Sequence, residues 1–206
     1  MKKLAVGIPT YNRYDLLEPC LGKYSVDFPD SQIYIVDNGR QNISTLGINV
    51  IENSENIGVG ASWNQLCQEI FRNYEYALIL NDDIYLGKNQ DQVLGLLDKK
   101  KAKFIRATPD WCAFVIHKSV YESVGAFDEC FLPAYFEDKS YEYRMKMLGV
   151  NILKHPDLNP IIYRSSMTIE KDKSILEDSK KNKKLYLEMW GGEPGKEKFK
   201  KPFNAK

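Results

Sequence analysis

Short apolar runs alternate with helical patterns through the first two-thirds of the chain, and this alternation constrains the fold more than any other feature. The candidate strands are residues 4–8, 33–36, 50–51 and 77–80. Several of them are continuously apolar, as expected for strands that are covered on both faces. Strands that alternate with helices are typical of β-α-β units. The pattern therefore predicts an α/β fold with a mostly parallel central sheet flanked by helices.

The helical patterns are weaker and lie between and after these strands. Apolar side chains repeat at helical spacing over 63–71, and a second helix over 89–99 opens with Asn89 as its cap. Shorter elements follow, namely a strand at 113–116, a helix opened by a capping box at Ser119, a helix over 139–148, and strands at 152–153 and 161–163. From about residue 170 the chain is rich in lysine, and we expect one helix with a solvated face and a loose end.

Composition excludes several classes of protein. The 206 residues suit one α/β domain, and 29 Lys and Arg against 28 Asp and Glu give a net charge of +1, so no nucleic-acid partner is expected. No apolar run approaches the roughly 20 residues that span a bilayer, and the N-terminus does not resemble a signal peptide. We therefore expect a soluble, cytoplasmic protein without a transmembrane segment. The four cysteines form no C-x-x-C pair, which indicates reduced core thiols.

The strongest candidate for chemistry is the turn Asn81-Asp82-Asp83, which directly follows the apolar run 77–80. A buried strand that ends in carboxylates places them at the carboxyl edge of the sheet, where open α/β sheets bind ligands. Adjacent carboxylates repel each other unless a cation neutralises them. Oxygen ligands suit Mg²⁺ or Mn²⁺, and such a cation can bridge the phosphates of a nucleotide diphosphate. An ordinary Asn-Asp turn is an equal alternative at this point.

Polar residues also follow two other early strands, so side chains from three strand ends should converge on one edge. Tyr11 can stack on a base, Asp37 can accept a hydrogen bond from a base or ribose, and Arg13 can face phosphate. The second segment is equally compatible with a tight turn that needs positive φ at Gly39. The residues concerned are Pro9, Thr10, Tyr11, Asn12 and Arg13 after the first strand, and Asp37, Asn38 and Gly39 after the second.

Two nucleotide-binding motifs are excluded. Asn56-x-Gly58-x-Gly60 resembles the start of a dinucleotide fingerprint, but the third glycine is missing because Trp63 follows Ser62. No P-loop sequence occurs, which argues against an NTPase. The small residues instead predict a turn that lets the next helix begin close to the ligand edge, with Asn64 in its first turn.

A second acidic pair, Glu137-Asp138, lies at the start of a predicted helix. Acidic side chains there can simply stabilise the helix N-terminus, or one of them can act as general base towards an acceptor hydroxyl. The nearby aromatic residues Trp111 and Tyr135 suit the face of a sugar, although core packing explains most aromatic residues.

Six motifs together resemble family 2 glycosyltransferases of the GT-A fold, in order and spacing, from about residue 4 to residue 168. The resemblance implies an inverting transferase that depends on Mn²⁺ or Mg²⁺. Its donor would be a nucleotide-diphosphate sugar, with UDP-sugars favoured, and its acceptor a carbohydrate or glycoprotein. The compact chain is also similar to soluble transferase domains of large algal viruses, which would place it in the host cytoplasm. The motifs are 9–13, 36–39, Asn56-x-Gly58 with Asn64, 81–83, Gly125-x-Phe127-Asp128-Glu129-x-Phe131 and Tyr135-x-Glu137-Asp138.

The resemblance also implies a role for each site residue. Asp83 resembles the metal ligand, and Asp82 a second ligand or a ribose or phosphate contact. Asp138 is at the position of the catalytic base, with Glu137 as the alternative. Arg164 replaces a histidine that many relatives carry, and an arginine there can contact the diphosphate directly. The other expected donor contacts are Pro9, Thr10, Tyr11, Arg13, Asp37, Asn64 and Asn81, and the expected acceptor contacts are Trp111 and Tyr135.

We expect one domain over 1–206, with a donor-binding half over about 1–110, an acceptor-binding half over about 111–170, and a C-terminal helix and basic tail over about 171–206. Two alternatives stay open. One is a catalytically degenerate module that binds a nucleotide sugar without turnover. The other is a sugar-nucleotide nucleotidyltransferase, which is disfavoured because residues 9–13 contain no glycine where those enzymes carry a phosphate loop.

Overall fold

The computed structural model describes residues 2–43, 48–107, 111–154, 162–163 and 174–205. Its central sheet has seven strands, and a two-stranded antiparallel ribbon lies apart from it. The central strands are β1 (Lys2–Thr10), β2 (Ile33–Asp37), β3 (Ile48–Glu52), β4 (Tyr74–Leu80), β6 (Phe104–Arg106), β7 (Ala113–His117) and β8 (Leu153–Lys154), and the ribbon pairs β5 (Ile84–Tyr85) with β9 (Ile162–Tyr163).

The central strands lie in the order β3-β2-β1-β4-β7-β6-β8. The first four are parallel, whereas β7 runs antiparallel to both of its neighbours, β4 and β6. Thr10 at the end of β1 lies opposite Asp37 at the end of β2, so the polar segments that follow these strands leave the sheet at the same edge. This arrangement confirms the predicted α/β fold with a mostly parallel sheet.

Helices cover both faces of the sheet and form two separate cores. One core contains apolar residues of α1 and α3, and the other contains those of α2, α4 and α5. A third, smaller cluster packs α6 against the segment before α5. The helices are α1 (Tyr14–Asp27), α2 (Val59–Ile70), α3 (Gln90–Lys100), α4 (Lys118–Val124), α5 (Glu137–Met147) and α6 (Ser174–Trp190). Among the described residues, no helix has the length and apolar composition needed to cross a membrane.

The helices differ from the sequence analysis mainly at their starts, and α2 and α5 begin four and two residues earlier than predicted, at Val59 and Glu137. Helix α1 was not predicted, because it contains Pro19 and begins without a side-chain cap, so the usual start signals are missing. Helix α4 begins one residue before Ser119, and the cap is His117, whose Nδ1 accepts the Ser119 N–H at 3.0 Å. The expected capping box at Ser119 is therefore wrong.

The segment after α6 is not the loose end that its composition predicts. The N–H groups of Lys198 and Phe199 both donate to the Trp190 carbonyl, at 2.9 and 3.1 Å. The Tyr143 hydroxyl donates to the Phe199 carbonyl at 2.8 Å, and the Tyr186 hydroxyl donates to Glu197 at 2.5 Å. These bonds hold the end of the chain against α5 and α6. A short 3₁₀ helix, Pro202–Asn204, follows.

Candidate active site

A cleft of about 760 Å³ lies at the carboxyl edge of the sheet, between the residues that follow β1, β2 and β4 and the starts of α2 and α5. Helix α6 and the turn after it form a further wall. The cleft brings together nine of the residues that sequence analysis expected to contact the donor, metal or acceptor or to act in catalysis: Pro9, Thr10, Tyr11, Asn81, Asp82, Asp83, Tyr135, Glu137 and Asp138.

Asp82 and Asp83 are buried in the turn that follows β4, and the Asn81 N–H fixes this turn by donating to the Cys112 carbonyl at 2.8 Å. The Thr10 hydroxyl donates to Asp82 Oδ2 at 2.8 Å, which links the ends of β1 and β4. Burial raises the pKa of Asp82 to about 7, the charge of Asp83 adds to the rise, and the Thr10 hydrogen bond opposes it. A bound cation would stabilise the charged form of both carboxylates.

The chemistry of this turn fits a hard divalent cation, but it supplies two carboxylates only. In the part of the chain that the structure describes, no three His, Cys, Asp or Glu side chains come together as a metal site. Mg²⁺ in proteins is often held by one or two carboxylates, with substrate phosphates and water completing its shell. The donor set therefore fits a cation that binds together with a diphosphate better than it fits a permanent metal centre.

Arg13 lies outside the cleft, although it was expected to face phosphate. Its side chain is 2% exposed, and its Nε and Nη2 donate to the two oxygens of Asp15 at 3.0 and 3.1 Å. This pairing raises the pKa of Arg13, and the charges of Asp82 and Asp83 raise it further. The structure therefore pairs Arg13 with Asp15 outside the cleft, and its expected contact with phosphate stays a prediction.

Asp37 is also buried away from the cleft. Its Oδ1 accepts hydrogen bonds from Gly39 N–H at 2.8 Å and Gln41 Nε2 at 3.0 Å, and its Oδ2 accepts the Gln41 N–H at 2.6 Å. Asp37 thus shapes its own loop, and its neighbour Asn38 lines the cleft instead. Gly39 does not have positive φ. A Cβ there would collide with the side chain of Asn12 and lie 2.8 Å from its backbone nitrogen, so glycine is needed for this close approach.

Asn64 holds a loop together and does not line the cleft. Its Nδ2 donates to the Phe127 carbonyl at 3.0 Å and to Glu129 Oε1 at 2.7 Å. Its Oδ1 accepts the Phe127 N–H at 2.8 Å and the Tyr121 hydroxyl at 3.2 Å. These four bonds use both donors and both acceptor positions of the amide. In this structure the amide of Asn64 is thus used within the protein, and its expected role in donor binding stays a prediction.

Trp111 is a core residue. Its side chain is 0% exposed and packs against Phe104, Phe114 and Trp63, with ring centroids at 4.9, 5.2 and 6.3 Å. Core packing occupies its faces and Trp111 does not line the cleft, so its expected acceptor contact stays a prediction. Tyr135, the other expected acceptor contact, does line the cleft.

The turn before α2 brings the start of this helix to the cleft, as its small residues predict. Gly58 has φ of 82° and its neighbour Val59 donates its N–H to the Pro133 carbonyl at 2.8 Å. A Cβ at Gly58 would lie 2.9 Å from the backbone carbonyl oxygen of Pro133, so glycine is needed where the loop that precedes α5 approaches α2.

Glu137 and Asp138 occupy the first turn of α5, after two consecutive residues with positive φ, Tyr135 at 77° and Phe136 at 78°. Burial, and then the charge of Asp138, hold the pKa of Glu137 well above its usual value. Glu137 Oε2 is buried and has no hydrogen-bond partner among the described residues. Asp138 accepts the Lys139 N–H at 2.7 Å and contacts Lys139 Nζ at 3.0 Å. Burial still raises the pKa of Asp138, although Lys139 opposes this rise.

Sequence analysis missed the contribution of the C-terminal region to the cleft. Ile175, Ser179 and Lys183 recur every four residues and therefore lie on one face of α6, and Glu193 and Pro194 follow in the next turn. The spacing was visible in the sequence, but a solvated helix face gives the same pattern. Arg164 lies outside the described residues.

The chain was compared with known proteins by sequence and by structure, and only the structural comparison found similar proteins. No protein-family model matches the chain, and a search of curated proteins found no match. The structure is similar to the mannosyltransferase PcManGT from Pyrobaculum calidifontis, solved with GDP-Man and Mn²⁺, at 14% identity and a TM-score of 0.59 over 87% of this chain and 63% of that one. It is also similar to GalNAc-T7, solved with UDP, GalNAc and Mn²⁺, at 12% identity and a TM-score of 0.70 over 95% of this chain and 49% of that one. This chain has the GT-A fold.

A third similarity is more distant. The bifunctional IspDF from Campylobacter jejuni matches 81% of this GT-A chain at 8% identity and a TM-score of 0.51. The chain covers 54% of IspDF, so it spans between about half and 63% of the length of these three proteins.

Proposed function

We propose that the chain is an inverting glycosyltransferase of the family 2 type. It moves a sugar from a nucleotide-diphosphate sugar, for which UDP-sugars are our first choice, to a hydroxyl of a carbohydrate or glycoprotein, with the help of Mn²⁺ or Mg²⁺. The observation that carries this proposal is that two acidic pairs, Asp82-Asp83 and Glu137-Asp138, lie on one cleft at the carboxyl edge of a GT-A sheet.

The donor is proposed to bind on the side of the cleft formed by β1 and β4. Pro9, Thr10 and Tyr11 line this side, and Tyr11 offers an aromatic face for a base. Asp82 and Asp83 would hold the cation. The cation would neutralise the negative charge that grows on the diphosphate as its bond to the sugar breaks. The direct contact of Arg164 with the diphosphate stays a prediction from the sequence.

The transfer step assigns Asp138 as the base. The acceptor oxygen attacks the anomeric carbon and gives its proton to the Asp138 carboxylate, while the bond between that carbon and the diphosphate oxygen breaks with its electron pair. One such displacement inverts the anomeric centre. Burial makes Asp138 a stronger base than an exposed aspartate by raising its pKa, and the adjacent Lys139 ammonium, at 3.0 Å, opposes this rise. Glu137 is the alternative base.

The structural neighbours support the ligand class without naming the ligand. PcManGT was solved with GDP-Man and Mn²⁺, and GalNAc-T7 with UDP, GalNAc and Mn²⁺. Both ligand sets combine a nucleotide with Mn²⁺ on a similar fold. They differ in nucleotide and sugar, so the donor has to be identified by experiment.

A thermal-shift screen of the purified protein against UDP-, GDP-, dTDP- and CMP-sugars, each with Mn²⁺ and with EDTA, tests the donor assignment. A ligand that binds the folded state raises the melting temperature. We expect one nucleotide class to stabilise the protein, and only when the metal is present. No stabilisation by any of them would contradict the proposal.

Substitution tests the base. Asp138→Asn should lower turnover at least about 100-fold and leave donor binding intact, as loss of a general base does. Asp30→Asn, at an exposed position, is the matched control. Full activity of Asp138→Asn would show that the base is assigned wrongly.

A binding module without turnover is the second candidate, because Lys139 contacts both oxygens of Asp138 and so competes with an acceptor hydroxyl for the base. Metal-dependent donor binding with neither transfer nor donor hydrolysis, in the wild type and in Lys139→Ala, would favour this candidate. Metal-dependent transfer or donor hydrolysis in either protein would favour the transferase.

A further inference from the structure

The cleft extends past the two acidic pairs onto a wall that the proposed chemistry does not use. This wall consists of Ile175, Ser179 and Lys183 on one face of α6, together with Glu193 and Pro194 in the turn that follows. It lines the same cleft as Glu137 and Asp138, which begin α5. A ligand at the acidic pairs can therefore reach the wall without leaving the cleft.

The wall is held firmly against the site. Asn182 is buried, and its Nδ2 donates to the carbonyls of Leu132 and Ala134 at 3.0 and 2.8 Å. Trp190 Nε1, at the end of α6, donates to Ser140 Oγ on α5 at 2.8 Å. These bonds connect α6 to the loop before α5 and to α5 itself, so the spacing between the wall and Asp138 is set by the fold.

The polar groups of the wall are balanced in charge. Lys183 Nζ lies 3.1 Å from Glu193 Oε1, and both side chains are about half exposed, at 52% and 54%. The hydrogen bond from Lys183 lowers the pKa of Glu193, which keeps its carboxylate ionised at neutral pH. The wall therefore offers a cationic donor beside an anionic acceptor, with no net charge.

This combination suits a neutral ligand that carries adjacent hydroxyls. An ammonium can donate to one oxygen of a vicinal diol while a carboxylate accepts from the neighbouring hydroxyl. A phosphate or carboxylate ligand would meet the charge of Glu193 as well as that of Lys183, and so would gain little. The apolar side chains of Ile175 and Pro194 can cover the C–H face of a sugar ring.

On the basis of the proposed function, we propose that α6 and the turn after it form a subsite for a neutral sugar unit of the acceptor. This unit lies next to the one whose hydroxyl Asp138 deprotonates. Lys183 and Glu193 bind two adjacent hydroxyls of this second unit. The protein then acts on an acceptor of at least two sugar units and selects it by the unit that does not react.

The test compares p-nitrophenyl monosaccharides with p-nitrophenyl disaccharides of glucose, galactose, mannose and N-acetylglucosamine as acceptors. The wild type should use one disaccharide with a KM about tenfold below that of its monosaccharide, because a charged hydrogen bond contributes about 1.5–3 kcal/mol and 1.4 kcal/mol is tenfold. Lys183→Met and Glu193→Gln should each remove this difference by raising the KM for the disaccharide. Lys184→Met, on the same helix and 81% exposed, is the matched control and should keep the preference.

Two results would overturn the subsite. One is a preference that survives in Lys183→Met and Glu193→Gln, and the other is an equal loss for both acceptors, which would indicate a structural role. If the wild type transfers to none of these probes, saturation-transfer NMR on the same disaccharides decides, and no binding to any of them refutes the subsite. Calorimetry with the nucleotide sugar separates the two proposals. A wild type that binds no donor refutes the proposed function. Donor binding by the wild type, with no effect of the two variants on the use or binding of the disaccharide, refutes the subsite alone.

Discussion

Replacing Asn64 with alanine tests whether this residue supports the fold or binds a ligand. The substitution removes four hydrogen bonds, two to the backbone of Phe127, one to Tyr121 and one to the exposed Glu129. A buried hydrogen bond contributes about 1 kcal/mol net, and more when its partner is left unsatisfied. With the bond to Glu129 discounted for exposure, the expected loss in the free energy of unfolding is about 3–4 kcal/mol.

The assay is urea and thermal unfolding of purified Asn64→Ala beside the wild type. Since 1 kcal/mol shifts the melting temperature of a domain of this size by about 2–4 °C, we expect a fall of about 10 °C. Asn73→Ala is the control, because Asn73 is exposed in the turn between α2 and β4 and its loss should change stability by less than about 0.5 kcal/mol. A loss below about 1 kcal/mol at Asn64 would refute the structural role. So would unchanged stability with weakened binding of the nucleotide sugar.

Two further substitutions test the buried carboxyl group of Glu137 at the start of α5 and the backbone conformation at Gly58. Burial holds the pKa of Glu137 above its value in the unfolded chain. The folded protein therefore keeps a proton that the unfolded chain loses above about pH 4.3. The free energy of unfolding consequently falls as the pH rises from about 4.3 through the pKa of the folded state. Glu137→Gln should therefore have a higher melting temperature than the wild type at pH 8, and the difference in melting temperature should narrow towards pH 4. A difference that does not change with pH would contradict this. Gly58→Ala should lower the free energy of unfolding by about 2–4 kcal/mol in urea titrations, because it adds a Cβ 2.9 Å from the Pro133 carbonyl oxygen at positive φ. Gly95→Ala, with open space around it in α3, should be neutral or stabilising, and equal effects at both glycines would count against the close approach at Gly58.

The sheet and the acidic turns were predictable because their signals are local. Strand β4 is an apolar run that ends at Leu80, and the polar residues directly after it can only leave the sheet at its carboxyl edge. The same holds for the residues after β1. Thr10 and Asp82 meet in a hydrogen bond because two parallel strands end side by side.

Some side chains depart from expectation because of partners close in sequence, as for Arg13 and Asp37, whereas Asn64 does so because of distant partners. Asn64 bonds to residues 57 to 65 positions away, and no local pattern shows that its amide is fully used. Trp111 and Tyr135 are both aromatic, and the sequence suggested the same acceptor contact for each. Packing of the sheet against α2 buries Trp111 in the core, whereas Tyr135 lines the cleft. The wall on α6 was missed for the same reason, because its position depends on the bonds from Asn182 to the loop before α5.

The most direct test of the proposed function is a calorimetric titration of the nucleotide sugar selected by the screen, with Mn²⁺ present, into the wild type and into Asp83→Ala. We expect binding to the wild type and at least about tenfold weaker binding to the variant, since loss of even an outer-shell partner of a metal costs about 10–100-fold in metal affinity. We also expect that EDTA weakens binding to the wild type and has little further effect on the variant. Equal affinity in both proteins, with and without Mn²⁺, would contradict the claim that the acidic turn holds the donor through a divalent cation.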